Sequence, residues 1–354
     1  MKKNYRKLLI TSLVLVYLVI LAGAVVRMTG SGMGCPDWPK CFGYYIPPTE
    51  ESVLIWQPNR AFEKGQMIIY QEALWAAKSD FTSDNSLDLN HFEKYTKHDY
   101  VLFNPFHTWT EYINRLAGAL AGLAVFLTAL FSFFYWKESK RTVFVSCMLV
   151  FMMGFQAWLG AKVVYSVLLP NKISVHMLMA LLIVSFQIYL LTLHGKLKNF
   201  YRVSAKIKIV ALIALVLLLS QILLGVNVRK LVDEQIRLSG YENKGNWVEA
   251  LQNTGFYVHR SFSFLILIIN GWLYIKFRKY KTIPKSMYGV LSMIFLEIII
   301  GVLIAYFDFP FLTQPLHLVI ASVLFGFQSS LWLQSIQQET GFDSQKECVV
   351  SHQY

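Results

Sequence analysis

Charged residues are scarce in this sequence, at 15% of its 354 residues, whereas soluble proteins carry about a quarter. Hydrophobic residues reach 55%, and the mean hydropathy is +0.44. This balance excludes a single water-facing domain and favours a protein embedded in lipid. Acidic residues are also few, 21 against 33 basic ones. We interpret the net charge of +12 as the cytoplasmic lysine and arginine excess of a membrane protein, not as a nucleic-acid surface.

The N-terminus lacks the marks of a removed targeting segment. The apolar run Leu8–Val26 is too long for the core of a signal peptide, and no small-residue cleavage site precedes Arg27. No transit peptide rich in arginine and serine precedes the run either. We therefore expect a retained first helix, and a bacterial inner membrane rather than a mitochondrion.

Eight stretches are apolar over the roughly 20 residues that a helix needs to cross a bilayer. They are Leu8–Arg27, Thr108–Trp136, Thr142–Tyr165, Ile173–His194, Ile209–Val228, Gly255–Lys276, Ser286–Phe307 and Gln314–Ser335. The N-terminus and alternate loops carry clusters of lysine and arginine, and the other short loops carry almost none. Because basic loops stay in the cytoplasm, both termini are predicted inside, and even-numbered helices are predicted to begin at the outer face.

The sequence predicts five parts. Residues 1–27 form the first helix, and residues 28–107 form a long outer loop that caps the outer face. Residues 108–194 complete a first four-helix bundle, residues 209–335 form a second bundle, and residues 336–354 form a polar cytoplasmic tail. The stretch Arg60–Lys78 of the long loop is predicted to be partly helix-forming, and residues 230–254 are predicted to be a second outer loop.

An internal repeat relates the two bundles. An offset of 141 residues pairs Gln156 with Glu297, Gly160 with Gly301, Tyr165 with Tyr306 and His176 with His317. Locally, residues 23–27 resemble residues 225–229, and residues 112–115 resemble residues 257–260. The fold class predicted is an all-α polytopic membrane protein of two tandem four-helix bundles. With four helices each, the bundles are predicted to be parallel and related by a pseudo-two-fold axis along the membrane normal.

Four histidines fall near the predicted outer ends of even-numbered helices: His107, His176, His259 and His317. Ionisable groups inside spanning segments are rare and functional by default. A single one of them is better explained as an interfacial polar residue with a hydrogen-bond partner, but four at one depth favour a common ligand. The remaining histidines are interpreted as surface residues: His91, His98, His194 and His352.

The surroundings of these histidines favour heme over zinc. They have no nearby cysteine and no E-x-x-H or H-E-x-x-H pairing on one helix. A bundle interior can hold a flat macrocycle between imidazoles of facing helices. Arg27 and Arg229 either pair with heme propionates or snorkel to headgroups. Glycines on the odd-numbered helices admit either a porphyrin face or a neighbouring helix: Gly23, Gly160, Gly225 and Gly301.

The two bundles differ in their histidines. The second bundle has His259 and His317, a complete axial pair. In the first bundle Asn114 stands where the repeat expects the partner of His176, and His107 lies seven residues earlier, on the helix face that also carries Glu111. An electron-transfer heme needs two fixed ligands, whereas a reaction site needs an open or labile position. We therefore predict a permanent heme in the second bundle and the reaction site in the first.

Cys35 and Cys41 lie in the first outer loop, in a compartment where disulfides persist. The segment between them is short and rich in turn residues, so that a bridge is feasible. The alternative is a pair of free thiols. Cys147, within a helix, and Cys348, in the tail, are given no role.

Several of these motifs resemble those of heme A synthases. Residues 29–41 resemble the first outer loop of that family, and residues 111–115 resemble its E-x-x-H-R helix start. His176, residues 257–260 and His317 resemble its remaining heme ligands. The resemblance covers nearly the whole chain and all eight predicted helices.

The resemblance implies that the C8 methyl of heme O is oxidised to a formyl group by successive hydroxylations, giving heme A for cytochrome oxidase. It implies a heme b cofactor between His259 and His317, near Arg229 and Arg260, and a required carboxyl at Glu111. Heme O is then expected in the N-terminal bundle, near the following residues: His176, His107, Asn114, Arg27 and Arg115.

The chain departs from the family pattern in two places. Asn114 replaces the motif histidine, and the second outer loop lacks a cysteine pair that some members carry. Either His107 substitutes as a ligand, although two helical turns, about 10 Å, separate the two positions, or the substrate iron keeps only His176. Expected partners are the lipid bilayer, a heme O synthase and an electron donor, without nucleic acid; a homo-oligomer is left open. A di-heme b-type electron carrier and a heme transporter or chaperone are the alternative functions.

Overall fold

The computed structural model describes residues 2–98, 102–194, 203–240, 247, 253–279 and 283–336. Within these ranges eight long helices are present: α1 Lys2–Met28, α2 Pro105–Ser132, α3 Lys140–Tyr165, α4 Pro170–Leu193, α5 Ala205–Ser239, α6 Thr254–Lys279, α7 Lys285–Tyr306 and α8 Thr313–Ile336. All eight are long and apolar enough to cross a membrane, so the predicted helical polytopic fold is confirmed. Apart from Ile336, the predicted cytoplasmic tail lies outside the described residues, as do residues 195–202 of a basic loop.

Local sequence signals fix where α2 and α4 begin. Asn104 caps α2, since its side chain accepts a hydrogen bond from the backbone N–H of His107, and Pro105 occupies the first turn. Pro170 likewise occupies the first turn of α4. These starts place His107 in the first turn of α2 and His176 in the second turn of α4.

Each half of the chain forms a ring in which every helix contacts two neighbours: α1, α2, α3 and α4 in the first half, and α5, α6, α7 and α8 in the second. Contacts of α8 with α1 and α4 join the two rings. The outward faces carry large exposed apolar side chains, such as Phe151 at 74% and Phe295 at 66% exposure. A helix that is apolar on all sides suits a lipid environment. The predicted pseudo-two-fold axis stays a prediction.

The loop between α1 and α2 folds as a small β cap, so the predicted helix-forming stretch Arg60–Lys78 is wrong. The strands are β1 Ala61–Phe62, β2 Met67–Tyr70, β3 Ala73–Ala77, β4 Phe81–Thr82 and β5 Phe92–Lys94. Antiparallel pairing joins β2, β3 and β5 in one sheet and β1 with β4 in another. Gln71 and Glu72 both have positive φ, the conformation of a tight two-residue hairpin turn, and β-branched Ile68 and Ile69 favour the strand.

Helix α5 continues to Ser239 instead of ending at Val228, so the predicted second outer loop begins as helix. Val232 and Ile236 extend its apolar stripe and are buried against Trp247 and Phe309. The burial of these side chains stabilises the helix beyond the polar residues at which the sequence predicted it to end. The extension places Asp233 one turn beyond Arg229.

Candidate heme site

A largely apolar cavity of about 540 Å³ opens between α5, α6, α7 and α8. The C-terminal end of α1 completes its wall through Ala24, Arg27 and Met28. Polar side chains are a minority of its lining, and His259 and His317 are among them. An apolar cavity of this size with a small number of placed polar groups is typical of a cofactor site.

His259 and His317 have the spacing that one iron atom between them requires. Their ring centroids lie 6.5 Å apart, and the ring planes are nearly perpendicular at 84°. Because a metal–imidazole nitrogen bond is about 2.0 Å, two imidazoles on opposite sides of one metal have centroids about 6.3 Å apart. The two rings and the apolar walls around them therefore fit a heme with two axial histidines.

Each candidate axial residue faces a glycine on a neighbouring helix. A Cβ atom at Gly225 would lie only 2.9 Å from Cε1 of His259, so the glycine makes room for the imidazole edge. The two interpretations offered by the sequence, contact with a porphyrin face and close packing of a neighbouring helix, stay predictions. The four pairs are Gly23 with Asn114, Gly160 with His176, Gly225 with His259, and Gly301 with His317. Asn114 therefore occupies the place that a histidine ring has in the other three pairs.

Two glutamines hold the backbone of candidate ligand histidines. The amide of Gln156 on α3 donates to the carbonyl of His176 at 3.0 Å. The amide of Gln221 on α5 donates to the carbonyl of His259, also at 3.0 Å. Both contacts tie the outer part of an even-numbered helix to the preceding odd-numbered helix.

Three charged side chains from the two halves converge beside the cavity. Arg27 of α1 donates from Nε and Nη2 to Oδ2 of Asp233, at 3.0 and 2.5 Å. Arg229 of α5 pairs through Nε with Oδ1 of the same carboxylate at 2.8 Å. Arg27 was predicted near the substrate heme of the first half, but its side chain lines the cavity of the second. Asp233 was missed because it lies on the unpredicted extension of α5.

Arg260, predicted beside the cofactor, also lines the cavity. Its Nη1 donates to the hydroxyl of Tyr306 at 3.3 Å, and its guanidinium lies over the ring of Tyr257. The residue is exposed at the outer end of α6. This position leaves the charged group at the mouth of the cavity.

In the first half, Glu111 is 4% exposed and firmly held. Its Oε2 accepts the backbone N–H of Cys35 at 2.9 Å, and its Oε1 accepts from Nη2 of Arg115 at 2.6 Å. A buried carboxylate is tolerated when it is paired and hydrogen-bonded in this way. Glu111 thus joins α2 to the disulfide loop directly above it.

The predicted disulfide between Cys35 and Cys41 is confirmed. Arg115 supports its loop from below, donating through Nη1 to the carbonyls of Asp37 and Lys40 at 2.7 and 2.8 Å. Burial raises the pKa of the Asp37 carboxyl, although its hydrogen bond from the backbone N–H of Gly43 opposes the shift. Arg115, predicted near the substrate heme, therefore holds the loop and Glu111.

His107 is held by a neighbour that sequence reasoning missed. Its Nδ1 lies 2.9 Å from the hydroxyl of Ser31, in the turn that follows α1. Asn114, two turns further along α2, is the residue that faces Gly23. The two positions are therefore distinct in the structure, as the spacing in sequence requires.

Two histidines interpreted as surface residues are half-buried. His98 donates to the carbonyl of Pro36 at 2.8 Å and so steadies the disulfide loop. His194 contacts the hydroxyl of Thr142 at 2.9 Å and packs against the ring of Tyr135. His91 is exposed as expected, and His352 lies outside the described residues. Neither half-buried residue lines the cavity.

The eight membrane-length helices define a multi-pass helical membrane protein. The cavity lined by facing histidines has the features of a heme-binding helical bundle. The profile of the family described as cytochrome oxidase assembly protein, COX15-CtaA, matches residues 6–329. The chain therefore belongs to this family. The match covers all of the bundle elements that surround the site.

Curated relatives agree with this assignment. The chain is 26% identical to a heme A synthase of Bartonella bacilliformis, over 94% of this chain and 93% of the relative. It is 23% identical to a heme A synthase of Ehrlichia ruminantium, strain Gardel, over 90% and 88%. It is 22% identical to a heme A synthase of Flavobacterium johnsoniae, over 92% and 96%. The resemblance found in the sequence is confirmed.

Proposed function

We propose that this protein oxidises the C8 methyl of heme O to a formyl group and so supplies heme A for cytochrome oxidase. The observation that carries the proposal is the pair His259 and His317, 6.5 Å apart across an apolar cavity. In a family of cytochrome oxidase assembly proteins, with relatives that are heme A synthases, such a pair suits a resident redox heme.

The cofactor of this reaction is heme b, in our proposal, and the second half of the chain, residues 209–335, holds it. His259 and His317 would hold its iron, and Arg229 and Arg260, which also line the cavity, would pair with its propionates. When bound, heme b supplies one-electron transfer. The apolar walls of the cavity would limit the access of water to these two histidines.

The substrate would bind in the first half, formed by residues 1–27 and 108–194, where His176 and Asn114 stand opposite their glycines. Glu111 lies three residues before Asn114 and therefore on the same face of α2. Its carboxyl, fixed by Cys35 and Arg115, is placed to hold or accept a proton near the substrate. Arg115 and the disulfide loop act by positioning that carboxyl.

We further propose a bacterial inner-membrane location, with both termini in the cytoplasm and both heme sites near the outer face. The support is the alternation of basic loops in the sequence. Heme O would come from a heme O synthase, and the electrons that reach heme b from a separate donor. A di-heme electron carrier would need two fixed ligands in each half, which Asn114 does not favour.

Expression in a host that makes heme O but no heme A is expected to yield heme A, because the chain supplies the missing oxidation. Extracted hemes are separated by chromatography, and an empty vector gives the baseline. The variant Cys147→Ser is a suitable neutral control, since Cys147 is exposed and far from any proposed role. Absence of both heme A and its alcohol precursor, in membranes that contain the protein, would exclude the proposed reaction.

Replacing Asn114 by histidine is expected to give the substrate heme a second imidazole ligand. Gly23 provides the space, because the equivalent glycines accommodate a histidine ring in the other three pairs. Purified Asn114→His protein loaded with heme O should show a larger low-spin fraction in its absorption spectrum than the unmodified protein does.

His107→Ala is the matched control for that experiment. Because His107 lies two helical turns from Asn114, the residue that faces Gly23, we expect the heme O spectrum of this variant to match that of the unmodified protein. A low-spin spectrum that is present in the unmodified protein and lost in His107→Ala would identify His107 as the ligand instead.

A further inference from the structure

A carboxyl side chain lies inside the membrane-spanning part of α7 and has no part in the function described so far. Glu297 lines the heme cavity and is only 16% exposed. Carboxyl groups at membrane depth are costly and are kept where they act on a site. The sequence repeat had aligned Glu297 with Gln156 but had suggested no role for it.

The carboxyl group faces a ligand histidine on the next helix. Its Oε2 lies 3.0 Å from Nδ1 of His317, which leaves Nε2 of that ring for a metal. As the ring stands, Nδ1 of His317 makes no hydrogen bond, because its N–H does not point at Oε2; a rotation of the ring toward Oε2 would form one. Nδ1 of His259, on the other side of the cavity, also has no hydrogen-bond partner among the described residues.

The equivalent side chains on α3 and α5 behave differently. Gln156 and Gln221 each donate an amide hydrogen to the backbone carbonyl of the neighbouring histidine, and neither is hydrogen-bonded to its ring. A carboxylate has no hydrogen to donate to a carbonyl, so Glu297 turns to the ring nitrogen instead. The exchange of glutamine for glutamate thus changes what the side chain does, not where it stands.

We propose that Glu297 is a positioning residue that fixes the tautomer of His317 and lowers the reduction potential of the heme between His317 and His259. An imidazole that donates its Nδ1 hydrogen to a carboxyl is a more basic ligand at Nε2. A more basic ligand favours ferric over ferrous iron, and second-shell hydrogen bonding is an established determinant of heme potential. The inference rests on the proposed heme b site.

The test is a spectroelectrochemical titration of the full-length protein with its heme bound. Glu297→Gln is expected to keep the two-histidine spectrum and to shift the midpoint potential upward, because the amide turns to the backbone as Gln156 and Gln221 do. Glutamine already occupies the equivalent positions on α3 and α5, so the substitution suits the fold. The reciprocal variant Gln221→Glu offers a carboxyl to His259 and is expected to shift the potential downward.

The outcomes separate this inference from the proposed function. Full heme content with an unchanged potential in Glu297→Gln would overturn the role of Glu297 and leave the proposed function standing. If the Glu297→Gln protein does not accumulate, the Gln221→Glu variant provides the test. An unchanged midpoint potential in Gln221→Glu would equally overturn the proposed role of Glu297. Unmodified protein that contains no heme b would instead remove the proposed cofactor site itself.

Discussion

Replacing Glu111 by glutamine is expected to lower heme A formation by about 100- to 10,000-fold, the range that a general acid or base contributes. Glutamine keeps the size of the side chain and an oxygen that can accept the N–H of Cys35, but it loses the charge that pairs with Arg115. The heme b spectrum should be unchanged, because Glu111 lies in the other half of the chain. Chromatography of extracted hemes measures the loss.

A matched control distinguishes the loss of the proposed acid–base role of Glu111 from the loss of a carboxyl charge anywhere on the protein. Glu93→Gln makes the same change at an exposed site on β5 and should leave heme A formation intact. Thiol labelling should show the bridge between Cys35 and Cys41 intact in Glu111→Gln. Undiminished heme A in Glu111→Gln would mean that the carboxyl only supports the loop, against the role proposed here.

Replacing either His259 or His317 by alanine is expected to abolish the heme b spectrum. The two rings are the only imidazoles among the described residues that line the cavity, and each would supply one axial bond. Loss of one bond leaves an apolar cavity with a single ligand, which does not hold a low-spin heme. Absorption spectroscopy of the purified variants, with heme b quantified after extraction, measures the effect.

His91→Ala is the control for this pair, because His91 is exposed on the outer cap. It should retain full heme b content. Retention of the complete heme b spectrum in both His259→Ala and His317→Ala would move the cofactor to another site and contradict the assignment of the second half.

The membrane helices were predictable because an uninterrupted apolar run of about 20 residues matches the thickness of a bilayer. The β cap was not, since Ile68 and Trp75 lie in short strands whose pairing depends on two positive-φ residues at the turn. The end of α5 was missed because Lys230 and Asp233 mark the end of an apolar run, while Val232 gains its burial only from tertiary contacts.

The site divides in the same way. The repeat predicted the histidine positions and the matching glycines, because both follow from equivalent places on equivalent helices. It did not place Arg27 beside Asp233, a contact between residues 206 positions apart in the chain. The pairing of Ser31 with His107 likewise depends on how the loop folds back, which no periodic pattern encodes.

The shared carboxylate of Asp233 has a consequence for how the two bundles communicate. Arg27 belongs to the first bundle and Arg229 to the second, and both donate hydrogen bonds to this one carboxylate. A negatively charged group of a ligand bound beside Arg229 would compete with Asp233 for the same guanidinium groups. Because Arg27 and Arg229 share Asp233, this carboxylate joins the two bundles, and neither bundle is a self-contained module.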